Sequence, residues 1–134
     1  MTCHCGPADN LALFGALDIA EAGDVIVAAT DEFTGTSLVG DLFIGMAKNR
    51  KIRAVVTDGL VRDSEGILAL DMPVYCRGVV PNSPVRNGPG TVGLPITIGG
   101  VSVDAGDIVL GDRDGVVIVP RAGLNEIRIR LQQI

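Results

Sequence analysis

Aromatic side chains make up only 3% of this 134-residue chain: three phenylalanines, one tyrosine and no tryptophan. So small a set gives no stacking platform for nucleic-acid bases. The net charge is -5, and the basic residues are scattered rather than gathered in a stripe. Direct nucleic-acid binding is therefore not expected. The apolar runs are strand-sized and broken by Gly or Asp, so none is long enough to cross a bilayer. The opening residues do not read as a charged-then-apolar signal segment. Cysteine is also scarce, at three residues. An odd count without framework spacing points to a reducing compartment and a cytoplasmic protein. Cys3-His4-Cys5 has the residue types of a metal cluster, but zinc sites space paired cysteines by two or more residues. In an alternating strand Cys3 and Cys5 share one face, which predicts small buried thiols rather than metal ligands.

What is present is aliphatic. Hydrophobic residues reach 47%, which describes a Val, Ile, Leu and Ala core of the kind that fills α/β layers. The length predicts one domain over 1–134. MTCHC reads as an opening strand, and Asp9-Asn10 as the cap of a helix with Leu11, Phe14, Leu17 and Ile19 as its apolar stripe, running to Glu21. VIVAAT (25–30) is a continuous apolar run, which suggests a strand covered on both faces. Residues 31–39 read as a polar loop. GDLFIGMAKNRK (40–51) reads as a helix with Leu42, Ile44 and Met46 among its buried positions, and IRAVVT (52–57) as the next strand. SEGILALD (64–71) is a short helix, and PVYC (73–76) another strand. Residues 80–93 form a Pro/Gly/Asn-rich loop. From 95 to 120 short strands alternate with Gly- and Asp-rich turns, which predicts a β-meander. LNEIRIRLQQI (124–134) closes the chain as an amphipathic helix. AGDVIV (22–27) and AGDIVL (105–110) read as one turn chemistry used twice.

The first half thus alternates strand and helix, and one stretch in it carries chemistry. VVTDGLVRDSEGI (55–67) leaves a buried strand, turns at Asp58-Gly59 and sets Arg62 beside Asp63 just before a helix. Gly40-Asp41-Leu42-Phe43 opens the preceding helix. If both strand-to-helix connections open on one edge of a parallel sheet, that edge is where ligands bind. The amides of residues 40–43 then face a carboxylate, as helix N-termini favour. Arg62 forks onto a carboxylate or keto oxygen. Asp63 holds Mg²⁺ or Mn²⁺, for which a single carboxylate suffices when waters and substrate complete the shell. Asp41 remains for proton transfer or for orienting water. The plainer reading makes Asp63 a helix cap and Arg62 a surface residue. Asp58 reads as a turn residue, Asp112 and Asp114 as flanks of a hairpin turn, and Tyr75 and Arg77 as packing and surface residues.

Asp41, twenty intervening residues, then Arg62-Asp63 resembles the D-x20-R-D pattern of the class II 4-hydroxy-4-methyl-2-oxoglutarate/4-carboxy-4-hydroxy-2-oxoadipate aldolases. These are grouped with the regulator of ribonuclease activity A (RraA-like) proteins, some of them labelled demethylmenaquinone methyltransferases. PADNLALFGALDIAEAGDVIV, MPVYCRGVVP and GGVSVDAGDIVLGDRDGVVIVP resemble further family segments, so the likeness spans nearly the whole chain. It implies a swivelling β/β/α-type domain, a βαβ first half and a meander second half, assembled as a homotrimer or hexamer with sites near subunit boundaries. By the same resemblance, Gly40, Asp41, Leu42, Phe43 and Arg62 bind substrate and Asp63 binds the metal. The implied activity is retro-aldol release of pyruvate from a small 2-keto acid, with oxaloacetate decarboxylation beside it. By the same resemblance the chain is expected to be a short member, without the helical portion that normally precedes the first strand.

No lysine lies in the motif, so a Schiff-base aldolase is not indicated. No glycine-rich dinucleotide-type loop follows the first strand, which argues against a methyltransferase. The metal-dependent lyase is the leading expectation. A non-catalytic regulator that binds and inhibits a ribonuclease is the second. A shortened relative that keeps the motif without activity is the third.

Overall fold

The structure, a computed structural model, describes residues 1–133. Its first half runs β1 (Thr2–His4), α1 (Leu11–Ile19), β2 (Val25–Ala29), β3 (Ser37–Val39), α2 (Asp41–Asn49), β4 (Ala54–Thr57), β5 (Leu60–Val61) and α3 (Ser64–Ala69). The second half runs β6 (Val74–Tyr75), β7 (Thr91–Val92), β8 (Ile96–Ile98), β9 (Val101–Val103), β10 (Ile108–Gly111), β11 (Val116–Val119) and α4 (Leu124–Leu131). Strands β6, β4, β2 and β1 lie side by side and parallel, and β7 closes the sheet antiparallel to β1. This is an α/β fold with βαβ connections, as the alternation of the first half predicts.

The central sheet separates two apolar layers. Ile26, Ala28 and Val55 face a core shared with α1, α2 and α3. Val27, Ala29 and Val56 face a smaller core shared with Ile96 and Val103 of the hairpins. The unbroken apolar run at 25–29 is thus a strand covered on both faces, which is why it shows no polar alternation. Cys3 and Cys5 are both buried in the helix-side core. A hydrogen bond with the Cys5 thiol, together with burial, pushes the Cys3 thiol far above its ordinary pKa. His4 points away and meets Asp31 Oδ1 at 2.8 Å on the surface. Cys3 and Cys5 are thus the small buried thiols that the strand alternation predicts, with His4 on the other face.

The buried faces of α1 and α2 differ from the expected ones. Helix α1 buries Ala12, Leu13, Ala16 and Leu17, while Leu11 and Ile19 are exposed. Small residues face the sheet, so a reading that follows bulk lands a position away. Helix α2 buries Phe43, Ile44 and Ala47, while Leu42 and Met46 are exposed. The set 42, 44 and 46 has strand spacing, whereas 43, 44 and 47 share one helical face. The expected cap pair also divides its work. Asp9 accepts the Leu11 amide at 2.8 Å, and Asn10 instead donates to Leu38 O at 3.1 Å and accepts from Arg86 at 3.2 Å. Asp9 further accepts the amides of Asn87 and Gly88, so it ties the 80–93 loop to α1.

Part of that loop is strand β7, and part of the expected polar loop at 31–39 is the buried strand β3. The strands after residue 95 form as expected, and they resolve into two separate antiparallel hairpins, β8–β9 and β10–β11. The echoed segments do share one turn. Asp24 Oδ2 accepts the Glu21 amide at 3.0 Å, Asp107 Oδ2 accepts the Asp104 amide at 2.9 Å, and Gly23 and Gly106 both sit at φ 98°. Hydrogen bonds from the Asp104 and then the Arg121 amides hold the Asp107 carboxyl below its ordinary pKa. Helix α4 forms but buries none of its residues, and Ile134 of the expected helix lies outside the described residues.

Candidate active site

Two short strands bring the motif together. β3 and β5 pair in parallel as their own two-stranded sheet, separate from the five-stranded one. β3 leads into α2 and β5 into α3, and the Arg62 amide donates to Val39 O at 2.9 Å. Both helices therefore start at one edge, as the sequence predicts. The strands that do this are not the long apolar runs, which continue into loops.

Side chains pack closely at that edge. A Cβ on Gly40 would fall on Asp63 Oδ2 and lie 3.0 Å from Arg62 Cγ. A Cβ on Gly66 would lie 2.5 Å from Asp41 Oδ2. Each helix start thus presents a glycine to the other's carboxylate, which lets α2 and α3 approach this closely. Gly40 was among the sequence candidates. Gly66 was not, although a glycine inside a short predicted helix signals a close approach.

Asp63 occupies the N-cap position of α3, yet its side chain makes no cap hydrogen bond. Its backbone is left-handed, at φ 54° and ψ 43°. That conformation costs a non-glycine residue on the order of 1 kcal/mol. It turns the carboxylate away from its own helix and towards Arg62, whose Nε lies 3.3 Å from Asp63 Oδ2. The Asp63 side chain remains 45% exposed, so the carboxylate reaches solvent. The plainer reading of Asp63 as a helix cap does not describe this geometry. Arg62 is 30% exposed, and its Nη1 lies 3.3 Å from Ser37 Oγ. Ser37 was not anticipated, because it sits in what reads as a polar loop.

The remaining candidates divide by what they can offer. Gly40 is the N-cap of α2 and supplies no side-chain cap, so the first amides of that nine-residue helix have no partner of that kind. Phe43 is buried with its ring edge-on to Phe14, at 5.1 Å between centroids, so only its backbone can serve a ligand. Leu42 points to solvent and is 79% exposed. Beside Arg62 and Asp63 lies a cavity of about 430 Å³, walled by Gly66, Val79, Val80 and Pro81. That size suits a small organic acid. A larger cavity of about 870 Å³ opens over the other face of the sheet. Its walls are chiefly aliphatic, its Arg77 pairs with Glu32 at 3.8 Å, and the Asp58 oxygens at its floor are already hydrogen-bonded.

A single carboxylate beside an arginine fits a hard divalent cation that keeps most of its waters. It does not fit zinc, which takes three or four protein ligands. The donor set therefore agrees with Mg²⁺ or Mn²⁺ at Asp63.

A family model described as RraA-like, Aldolase/RraA, matches residues 1–118. A protein of Halalkalibacterium halodurans named "Putative 4-hydroxy-4-methyl-2-oxoglutarate aldolase" is 38% identical over 120 residues, 90% of this chain and 57% of that one. A protein of Bacillus cereus with the same name is 31% identical over 110 residues, 82% of this chain and 69% of that one. A solved structure described as the RNA-processing inhibitor RraA from Thermus thermophilis superposes with a TM-score of 0.83 at 27% identity, covering 89% of this chain and 72% of that one. The chain thus spans little more than half the length of the first of these relatives.

Proposed function

The chain belongs to the RraA-like family, and on that premise we propose that it is a divalent-metal-dependent lyase. It cleaves 4-hydroxy-4-methyl-2-oxoglutarate-type 2-keto acids to pyruvate by retro-aldol chemistry and decarboxylates oxaloacetate. The observation that carries this reading is the Asp63 carboxylate, turned from its own helix and set beside the Arg62 guanidinium. Two relatives that carry the aldolase name support it.

Asp63 would hold the cation, which would supply positive charge at the keto-acid end of the substrate. Arg62 binds the same end and stabilises negative charge as it develops on the enolate oxygen. The amides at the start of α2, from Gly40 through Phe43, hold a substrate carboxylate. Asp41 lies at the first position of that helix and, through a water, takes the proton that the substrate hydroxyl loses as the carbon–carbon bond breaks, or returns one to the nascent methyl of pyruvate. The assembly is a homotrimer or hexamer, and the working compartment is the cytoplasm. Among the described residues no helix is long and apolar enough to cross a membrane.

One observation favours a second reading. The similarity to the RNA-processing inhibitor suggests a non-catalytic protein that binds and inhibits a ribonuclease. The experiment that separates the two is pyruvate release from oxaloacetate and from 4-hydroxy-4-methyl-2-oxoglutarate, with Mg²⁺ or with chelator, by the wild type and Asp63→Ala. Release that needs the metal and vanishes in the variant supports the lyase. No release above the metal-only blank from folded protein turns the reading to the inhibitor or to an inactive relative.

A further inference from the structure

We propose that Ser37 is a positioning residue for Arg62, fixing the orientation in which the guanidinium meets the substrate. The proposal deepens the lyase reading and rests on it for its kinetic consequence. Ser37 is 1% exposed and lies in β3, one strand over from the arginine. Its hydroxyl donates to Asn82 O at 2.8 Å, which fixes its lone pairs. One lone pair then accepts from Arg62 Nη1 at 3.3 Å. At another corner of the guanidinium, Nε lies 3.3 Å from Asp63 Oδ2. The Ser37 hydrogen bond at Nη1 and the Asp63 charge beside Nε restrain the guanidinium plane, and no partner occupies Nη2 among the described residues. The outer N–H groups are therefore presented in a preferred plane, which favours a two-point grip on a carboxylate or keto acid.

The same serine joins this cation to the wall of the cavity. Its amide donates to Asn82 O at 2.8 Å, next to Val80 and Pro81 of the lining. Asn82 Nδ2 in turn reaches Gly35 O at 3.3 Å, so the wall is tied to both ends of the β3 approach. Because the Ser37 amide already serves the Asn82 carbonyl, Ser37→Ala leaves no orphaned buried acceptor. The hydroxyl can therefore be removed without taking away the loop's anchor.

The test is the kinetics of Mg²⁺-dependent pyruvate release from oxaloacetate, measured for wild type, Ser37→Ala and Ser37→Thr, and for Ser37→Ala combined with Arg62→Lys. Losing a hydrogen bond to a charged group raises KM roughly tenfold, with a smaller change in kcat. Ser37→Thr, which keeps the hydroxyl, restores most of it. In the Arg62→Lys background the serine change adds nothing, as coupled neighbours require. Nitrogen-15 NMR of the Arg62 guanidinium supplies a readout independent of turnover. Rotation about its Nε–Cζ bond, which exchanges Nη1 with Nη2, is slow in the wild type and faster in Ser37→Ala. An inactive wild type with this change in rotation would overturn the lyase reading and leave the positioning role standing. Unchanged rotation, or an equal loss in the Arg62→Lys background, would overturn the positioning role itself.

Discussion

Asp58 and Asp63 stand five residues apart, each just past a short parallel strand, and the fold uses them in opposite ways. Asp58 is buried and fully engaged. Its Oδ1 accepts the Thr30 amide at 2.7 Å and the Thr30 hydroxyl at 2.8 Å, and its Oδ2 accepts the Glu32 amide at 3.0 Å. It fastens the end of β4 to the loop after β2. Asp63 accepts no cap bond, takes a left-handed backbone and keeps nearly half its side-chain surface in contact with solvent. One carboxylate is consumed by structure, and the other is held clear of it. A left-handed backbone that no cap bond requires is the observation that motivates a functional role for Asp63.

The contrast yields predictions that differ in kind as well as size. Asp58→Ala strands three donors, two of them on buried Thr30, and urea denaturation should show a loss of about 3 kcal/mol. Asp63→Ala should do the reverse. Pyruvate release falls about 100-fold or more, the scale of losing one electrostatic element of an active site, while stability changes by under about 1 kcal/mol. If Asp63→Ala unfolds the protein and Asp58→Ala spares it, the assignment of roles is inverted.

Gly66→Ala sharpens the comparison, because its Cβ would meet both the movable Asp41 Oδ2, at 2.5 Å, and the fixed Asp41 Cβ, at 2.9 Å. The carboxylate must turn and the two helix starts must part slightly, so kcat should drop roughly tenfold and stability by about 1 kcal/mol. A variant that loses stability but not activity would show that Gly66 serves packing alone.

The smallest effect concerns Asp9. Hydrogen bonds from the Leu11 amide first, then from the Asn87 and Gly88 amides, hold its carboxyl below the ordinary pKa. A depressed folded-state pKa means that the stabilisation is fully present above the unfolded value, near pH 4. It is lost as pH falls through the lower folded value. Asp9→Asn should therefore be less stable than wild type at neutral pH, with the gap closing below about pH 4. Denaturation curves across that range would show it, and a gap that widens in acid would contradict the bonding pattern.

Much of this was legible in the sequence. The two-faced strand 25–29, the buried thiols and the repeated Ala-Gly-Asp turn all follow from local pattern and burial chemistry. Asp41, Arg62 and Asp63 could be named because a glycine-led helix start and an Arg-Asp pair imply one edge. What escaped was whatever depends on small residues meeting across space. The faces of α1 and α2 are set by Ala12, Ala16 and Ala47, which carry little hydrophobic signal. Strands β3 and β5 are three and two residues long, too short for periodicity to speak. Ser37 and Gly66 matter only through partners 25 residues away, and no local pattern records such a pairing.

The most direct measurement is binding of Mn²⁺ alone, followed by electron paramagnetic resonance, in wild type, Asp63→Asn and Asp112→Asn. Asp112 serves as the control because its carboxylate only closes a hairpin turn, accepting the Asp114 amide at 2.8 Å. If Asp63 is the carboxylate the fold holds out for a cation, the wild type and Asp112→Asn bind alike and Asp63→Asn does not. Equal binding by Asp63→Asn and the wild type would contradict the central claim.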